Sequence, residues 1–240
     1  VLPLFPDATR EFAPVVVVLA VISIVYVALL AVGQTDMKRL IAYTSISHFG
    51  FIVLGIFAMT SYGQAGSTLY MVNHGFSTAA LFLIAGFLIS RRRSRLIGDY
   101  GGVQKVAPLL AGTFLVAGLS SLALPGLSSF VSEFLVLVGT FSRYEAAAVL
   151  ATGGIILASI YILLMYQRTM TGQPNEHTSR FPDLTSREAW AVAPLIAVII
   201  ALGFYPKPLL DVINPAVERT LLQVGVEDPQ PVVPREGALP

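Results

Sequence analysis

The feature that most limits the fold of this chain is a series of long apolar runs with at most one charged residue each. Residues 15–32, for example, have the sequence VVVVLAVISIVYVALLAV. Because the hydrocarbon core of a bilayer is crossed by about 20 mostly apolar residues in a helix, such a run predicts a transmembrane helix. Runs of this kind cover residues 12–33, 40–59, 67–90, 106–141, 146–167 and 188–205. Only 12% of the residues are charged, whereas a soluble domain has about 25%. The sequence therefore predicts an all-α, polytopic membrane helix bundle with about six transmembrane helices.

The fourth run differs from the others because it is too long for one crossing. As a single helix, residues 106–141 would extend about 54 Å, against a hydrocarbon core of about 30 Å. Leu124-Pro125-Gly126 interrupts the run, and proline removes a backbone donor while glycine relaxes the chain. We expect a helix that is discontinuous at Leu124–Gly126. A simple proline kink packed against neighbouring helices is the alternative.

The distribution of Lys and Arg predicts the orientation of the bundle. With 106–141 as one crossing, ten of the 15 basic residues fall on one side: Lys38, Arg39, Arg91, Arg92, Arg93, Arg95, Lys105, Arg168, Arg180 and Arg187. Cytoplasmic loops carry the excess of positive charge. We therefore expect both ends of the chain on the non-cytoplasmic side, with residues 1–11 as an extramembrane loop. Residues 206–240, rich in proline, are expected to form an extramembrane tail with little regular structure.

Several classes of function are excluded or disfavoured by what the sequence lacks. Without cysteine, the chain has no disulfides, thiolate metal sites or iron–sulfur ligands, and its three histidines supply a histidine-rich metal site poorly. A phosphate-binding G-x-x-x-x-G-K-[ST] loop and a G-x-S-x-G nucleophile turn are also absent. The pattern favours a conduit driven by energy from elsewhere, with no cofactor in this chain.

Three ionisable residues lie well inside the predicted helices, and such groups are costly in a bilayer. They are His48, His74 and Glu133. Histidine exchanges protons near neutral pH, so a proton relay is the functional hypothesis for all three. For either histidine alone, a structural hydrogen bond between helices is an equal alternative. Lys38 begins a helix at the cytoplasmic edge, where it sets topology or takes a wider part in the relay.

Hydroxyl groups accompany these residues along several of the predicted helices. They are Tyr43, Thr44, Ser45, Ser47, Ser77, Thr78, Ser128, Ser129 and Ser132. They could hold water between the ionisable groups, although hydroxyls are also common contacts between membrane helices.

Three segments resemble a known family. The run Gln34–Gly50, QTDMKRLIAYTSISHFG, the run Asn73–Phe82, NHGFSTAALF, and Leu124-Pro125-Gly126 with Ser132-Glu133-Phe134 are similar to the antiporter-like subunits of respiratory complex I, NADH–quinone oxidoreductase. The resemblance extends over nearly all of residues 1–210. Subunits L and N of that family usually have a lysine at the position of Glu133, whereas the M-type subunits have glutamate.

The resemblance implies more than the residues alone. The chain would be the C-terminal half of an M-type subunit, with its six helices the last of a longer bundle in a bacterial inner membrane. His48 and His74 would relay protons, and Glu133 would pass them towards the outer face. The neighbouring antiporter-like subunits L and N would be its partners in a translocase whose redox centres lie in other subunits. A cation/proton antiporter subunit and a structural membrane-arm scaffold are the alternatives.

Overall fold

A computed structural model of the protein describes residues 2–230 and shows a helical bundle. The described residues form nine α-helices: α1 (Pro6–Val32), α2 (Met37–Ala58), α3 (Ser61–Arg92), α4 (Val103–Val106), α5 (Pro108–Ser121), α6 (Ser128–Phe141), α7 (Glu145–Met170), α8 (Ser186–Phe204) and α9 (Lys207–Val224). A 3₁₀ turn covers Ile97–Asp99. Within this part of the chain the only β-type pairing is one bridge between Asp36 and Leu96. The predicted all-α class is confirmed.

Among residues 2–230, five helices are long and apolar enough to cross a membrane, namely α1, α2, α3, α7 and α8. The shorter apolar helices α5 and α6 together occupy the fourth predicted run, so the helices match the six runs. α1 begins at Pro6, earlier than the predicted residue 12, because proline suits the first turn of a helix and Asp7 follows it there. Residues 6–11 are therefore helical and not a loop.

The outward faces of these helices are apolar, as a lipid-facing surface requires. On α1, Val15, Val18, Leu19, Ile22 and Tyr26 all have more than half of their surface exposed. The buried side of the same helix is lined by small residues, among them Ala20, Ala28 and Ala31. Small residues let membrane helices approach closely, so packing here depends on close contact between backbones.

The helix break is a complete interruption, so the kink alternative is wrong. α5 ends at Ser121 and α6 begins at Ser128, with six residues of irregular backbone between them. Ala123 and Gly126 in this segment have positive φ angles of 57° and 92°. α8 covers the break: a Cβ placed on Gly203 would lie 2.3 Å from the carbonyl oxygen of Gly126. The irregular backbone is thus held against protein, as membrane depth requires.

The loops between helices gather at the two ends of the bundle as the charge count predicts. At one end, Met37 N donates to Arg95 O and Gly102 N donates to Thr171 O. These bonds join the α1–α2, α3–α4 and α7–α8 connections, where the ten basic residues were counted. At the opposite end, Thr60 Oγ1 donates to Gly139 O. The two-sided arrangement of the loops follows the prediction, and which end faces the cytoplasm stays a prediction.

Arg91 ties three elements together at the basic end. Its guanidinium forms a bidentate pair with Glu188 at 2.8 and 2.7 Å and donates to Phe87 O, Pro182 O and Asp183 O. The Asp183 carboxylate accepts hydrogen bonds from Leu109 N and Leu110 N in the first turn of α5. Arg91, the first residue of the RRRSR sequence at 91–95, therefore has a structural role in addition to its charge.

Residues 207–224 correct the prediction of a tail with little regular structure, because they form α9. Ile213, Val217, Leu221 and Val224 are buried and recur at helical spacing, and α9 packs against α3 and α1. Pro206 and Pro208 occupy the helix start, where a missing N–H is harmless. Whether α9 lies outside the membrane stays a prediction, and residues 231–240 lie outside the described part of the chain.

Candidate functional site

The three ionisable residues singled out in the sequence lie on three different helices and meet in the centre of the bundle. His48 comes from α2, His74 from α3 and Glu133 from α6. Their exposed fractions are 3%, 6% and 5%. The two imidazole rings have centroids 5.2 Å apart and planes tilted by 55°. The sequence therefore identified residues that share one buried site, although it gave no contacts between them.

His74 is held by hydroxyl groups. Ser45 Oγ of α2 lies 2.7 Å from His74 Nε2, and Thr78 Oγ1, one turn further along α3, is 3.3 Å from the ring nitrogens. Phe49 meets the His74 ring edge-on at 5.4 Å. Ser45 and Thr78 were among the hydroxyls predicted to accompany the ionisable groups, and both contact one of them.

His48 reaches a fourth helix. Its Nε2 lies 3.3 Å from the hydroxyl of Tyr161 on α7, and Tyr161 is 1% exposed. The helix that carries Tyr161, α7, also packs against α6, which carries Glu133. Tyr161 thus connects α7 to the histidine part of the site.

Glu133 is bound by a second tyrosine. The Tyr70 hydroxyl donates a 2.8 Å hydrogen bond to Glu133 Oε2. Its ring centroid is 5.9 Å from that of His48 and 6.4 Å from that of His74. A phenol hydrogen-bonded to a carboxylate is a strong, charge-assisted contact when the carboxylate is ionised. The second tyrosine therefore connects α3 to Glu133 directly.

Asn73 and a group of serines join α3 to the helix break. Asn73 Nδ2 donates to Ser128 O at 2.6 Å and to Ser132 Oγ at 3.2 Å. Ser77 Oγ lies 2.8 Å from Ser120 Oγ and 3.5 Å from Ser129 Oγ. These contacts attach the end of α5 and the start of α6 to α3.

Helical periodicity explains why one face of α3 supplies so much of the site. Tyr70, Asn73, His74 and Ser77 follow the i, i+3, i+4, i+7 pattern, so they lie on the same side of the helix. Asn73 Oδ1 in this row has no hydrogen-bond partner within the described residues. The row therefore presents both satisfied and unsatisfied polar atoms to the centre of the bundle.

Lys38 is not part of this cluster. It lies in the first turn of α2, ten residues before His48, which corresponds to about 15 Å along the helix axis. Among the other predicted hydroxyls on α2, Thr44 and Ser47 donate to the backbone carbonyls of Ile41 and Ile24. The structure thus separates Lys38 from the buried site and assigns Thr44 and Ser47 to helix packing.

Tyr70, Tyr161 and Asn73 are the contributors to the site that the sequence analysis missed. Each is a polar residue inside a predicted span, which is the signal that could have identified it. Tyrosine and asparagine carry no charge near neutral pH, however, and their partners are 63, 113 and 55 residues distant in sequence. Only the packing of separate helices brings these pairs together.

The transmembrane-domain family of the NADH:quinone oxidoreductases and Mrp antiporters matches residues 1–159. The chain belongs to this family. The match includes α1 to α6 and most of α7, so it contains His48, Tyr70, His74 and Glu133. The family membership agrees with the resemblance carried by the three sequence segments.

Two bacterial relatives show which branch of the family this chain resembles. The chain is 61% identical, over 97% of its length, to NADH-quinone oxidoreductase subunit M of Mycobacterium tuberculosis, and 42% identical, over 92%, to the subunit M of Rickettsia prowazekii. It spans 42% and 45% of those relatives, and therefore less than half of their length. The recognised branch, subunit M, is thus confirmed.

Solved structures show the same fold. A chain in respiratory complex I from Thermus thermophilus with bound NADH superposes with a TM-score of 0.88 at 32% identity, covering 94% of this chain and 48% of that one. A chain of the Mrp complex from Dietzia superposes with a TM-score of 0.78 at 22% identity, covering 91% of this chain and 50% of that one. Both structures are multi-subunit membrane complexes, as expected for a multi-pass membrane protein of this family.

Proposed function

We propose that this chain is the proton-releasing half of a membrane-arm subunit in a proton-pumping NADH:quinone oxidoreductase. The observation that carries the proposal is the buried cluster itself, in which two histidines, two tyrosine hydroxyls and one carboxylate meet between four helices. Uncharged packing would fill this space at lower cost, because ionisable groups are expensive at membrane depth. The family membership and the subunit M relatives support the same conclusion.

The contacts suggest an order for the proton route. A proton on His74 passes to His48 across the facing rings, whose centroids are 5.2 Å apart, by ring rotation or through an intervening water. The Tyr161 hydroxyl, 3.3 Å from His48 Nε2, accepts a proton from His48 as it releases its own towards Glu133. Glu133 is then neutral until it releases the proton towards the outer face. Each group returns to its starting state after one transfer.

The chemistry that drives the route is assigned to the rest of the complex. We propose that charge changes in the neighbouring antiporter-like subunits L and N alter the charge state of this cluster stepwise. Oxidation of NADH and reduction of quinone take place in other subunits. The chain itself would contribute no redox chemistry, and its two ends would face away from the cytoplasm of a bacterial inner membrane.

Replacement of Glu133 by glutamine tests the proposal. Glu133→Gln keeps the size of the side chain but replaces the carboxyl group by an amide that does not gain or lose a proton near neutral pH, so proton transport should fall at least about tenfold. The measurement is NADH-driven proton uptake into inverted vesicles that carry the full-length chain in the assembled complex, with NADH oxidation recorded in parallel. Glu218→Gln, on the exposed side of α9, is the matched control and should leave uptake unchanged.

The same experiment separates the alternatives. Full uptake in assembled Glu133→Gln complex would contradict the relay and leave a scaffold role. The family match also includes Mrp antiporters, so a cation/proton antiporter subunit is the second candidate. That function predicts proton movement that requires sodium or potassium in the absence of NADH, whereas the proposed function predicts no such requirement.

A further inference from the structure

Tyr70 stands out in the centre of the bundle because it contacts every ionisable member of the cluster. We infer that Tyr70 is a positioning residue that holds the Glu133 carboxylate on the histidine side of the bundle. The inference rests on the proposed function and adds to it a residue that controls when the terminal acid can receive a proton. Three observations support it: the hydrogen bond from Tyr70 to Glu133, the packing of the Tyr70 ring, and the groove beside the helix break that Glu133 also borders.

The hydrogen bond from Tyr70 is the main restraint on the carboxylate. Within residues 2–230 it is the only hydrogen bond made by the Glu133 side chain, with the hydroxyl oxygen 2.8 Å from Oε2. Both side chains are buried, and Tyr70 is fully enclosed. A hydrogen bond to a charged group in an enclosed site favours the bound position of the carboxylate over the released position by roughly tenfold or more.

The Tyr70 ring is fixed by its neighbours, so the hydroxyl has a defined position. Its plane is nearly perpendicular to the His74 ring, at 88°, and Phe51 packs against it with centroids 6.3 Å apart. The His48 ring lies on a further side at 5.9 Å. A phenol enclosed in this way cannot follow a carboxylate that turns away, so the hydrogen bond is either made or broken.

Glu133 also borders a groove on its other side. The groove has a volume of about 290 Å³, lies beside the helix break and is lined by Pro125, Phe130 and Ser159 together with Glu133. The lining is otherwise apolar except for Ser159, so the groove has room for the Glu133 side chain once it has accepted a proton and is neutral. Tyr70 therefore keeps Glu133 in the position that accepts a proton, and breaking the bond corresponds to the position that releases it.

The test removes the hydroxyl and keeps the ring. Tyr70→Phe, in the full-length chain of the assembled complex, should lower NADH-driven proton uptake roughly tenfold. A second readout reports the position of the carboxylate: reaction of Glu133 with a hydrophobic carbodiimide in the purified complex, followed by peptide mass spectrometry. Because the released side chain turns into the groove, labelling of Glu133 should rise several-fold.

Tyr100→Phe is the matched control. It also removes a buried hydroxyl that makes a hydrogen bond, here of 2.7 Å to Ser94 O at the basic end of the bundle. Burial raises the pKa of Tyr100 to about 12, so its hydroxyl is a donor throughout the working pH range. Tyr100→Phe should change neither readout, which separates positioning of Glu133 from a general loss of stability.

Each outcome decides the inference. Lowered uptake with raised Glu133 labelling in Tyr70→Phe alone supports it. Unchanged labelling of Glu133 in Tyr70→Phe overturns the inference, whatever the rate of proton uptake. If Glu133→Gln still abolishes uptake in that case, the proposed function stands without a positioning role for Tyr70. Intact uptake in Glu133→Gln defeats the proposed function, while the labelling comparison still reports whether Tyr70 positions the carboxylate.

Discussion

Among single residues, Tyr161 has the contacts expected of a link between the two kinds of proton-carrying group. Its hydroxyl is 3.3 Å from His48, and its helix α7 packs against α6, which carries Glu133. A phenol both donates and accepts hydrogen bonds, so it can exchange one proton for another without acquiring a net charge. Tyr70 has no hydrogen bond to either histidine, and the two tyrosines therefore have separate roles.

Replacement of Tyr161 tests this assignment. Tyr161→Phe removes the linking hydroxyl and should reduce NADH-driven proton uptake by about tenfold or more, the scale of losing one proton-transfer group. Unlike Tyr70→Phe, it should leave carbodiimide labelling of Glu133 near the wild-type level. Tyr166→Phe, on the same helix with its ring against Phe114, is the control. Uptake at the wild-type rate in Tyr161→Phe would remove this residue from the route.

The sequence predicted the charged members of the site and missed the uncharged ones for a physical reason. His48, His74 and Glu133 are conspicuous because charge in a membrane helix is costly whatever surrounds it. Tyr70, Tyr161 and Asn73 are tolerated in many membrane environments, so their importance depends on partners supplied by distant helices. Lys38 is a charged candidate that lies outside the site. A charge at a helix end costs little free energy, so its presence there does not indicate a buried partner.

Among the elements, the interrupted helix α5–α6 depends on its contact with α8. A Cβ on Gly203 would lie 2.3 Å from Gly126 O and 2.6 Å from the Cα of Leu127. Both are backbone atoms, so the conflict cannot be relieved by a side-chain rotation. The Pro-Gly sequence predicted that the helix breaks, but the glycine that accommodates the break is 77 positions away and carries no local signal.

Gly203→Ala tests this contact. It should force the break away from α8, destabilise the protein by about 1–3 kcal/mol as overpacking does, and lower proton uptake by displacing Glu133. The measurement is thermal unfolding of the detergent-solubilised complex, with uptake in vesicles. Gly153→Ala on α7 is the control, because a Cβ there meets no atom within 4 Å. Equal stability of both variants would show that the break tolerates displacement.

α9 shows where predictions from the sequence fail at this scale. Its prolines at positions 206, 208 and 215 argue against a helix when they are counted together. Their positions matter more than their number, because two of them occupy the helix start, where a proline is accepted. The buried row of Ile213, Val217 and Leu221 was the stronger signal.

For the whole molecule, Arg91 is the clearest contact between the membrane helices and the basic loops. Its side chain is 7% exposed and that of its partner Glu188 is 19% exposed. Three backbone carbonyls use its remaining donors. The charge count predicted that basic residues gather at this end, but it could not distinguish one that holds α3, α5 and α8 together from those that face solvent.

Arg91→Lys should weaken this end of the bundle even though the charge is kept. Lysine cannot form the bidentate pair or reach the three carbonyls at once, so the loss should amount to about 1.5–3 kcal/mol, the scale of a lost hydrogen bond to a charged group. The midpoint of thermal unfolding should fall, together with the yield of assembled complex. Arg95→Lys, at an exposed position, should have little effect on either, and similar midpoints for both variants would contradict the prediction.

The length of α3 has a consequence for how the site responds to its surroundings. With 32 residues, α3 is about 48 Å long, and one continuous helix carries Arg91 near its end and Tyr70, Asn73, His74 and Ser77 on its inner face. A turn of this rod about its own axis would withdraw all four side chains from their partners at the same moment. The hydrogen bonds of the four side chains would then form and break together, and a displacement at the Arg91 end of α3 would be transmitted to them along one continuous helix.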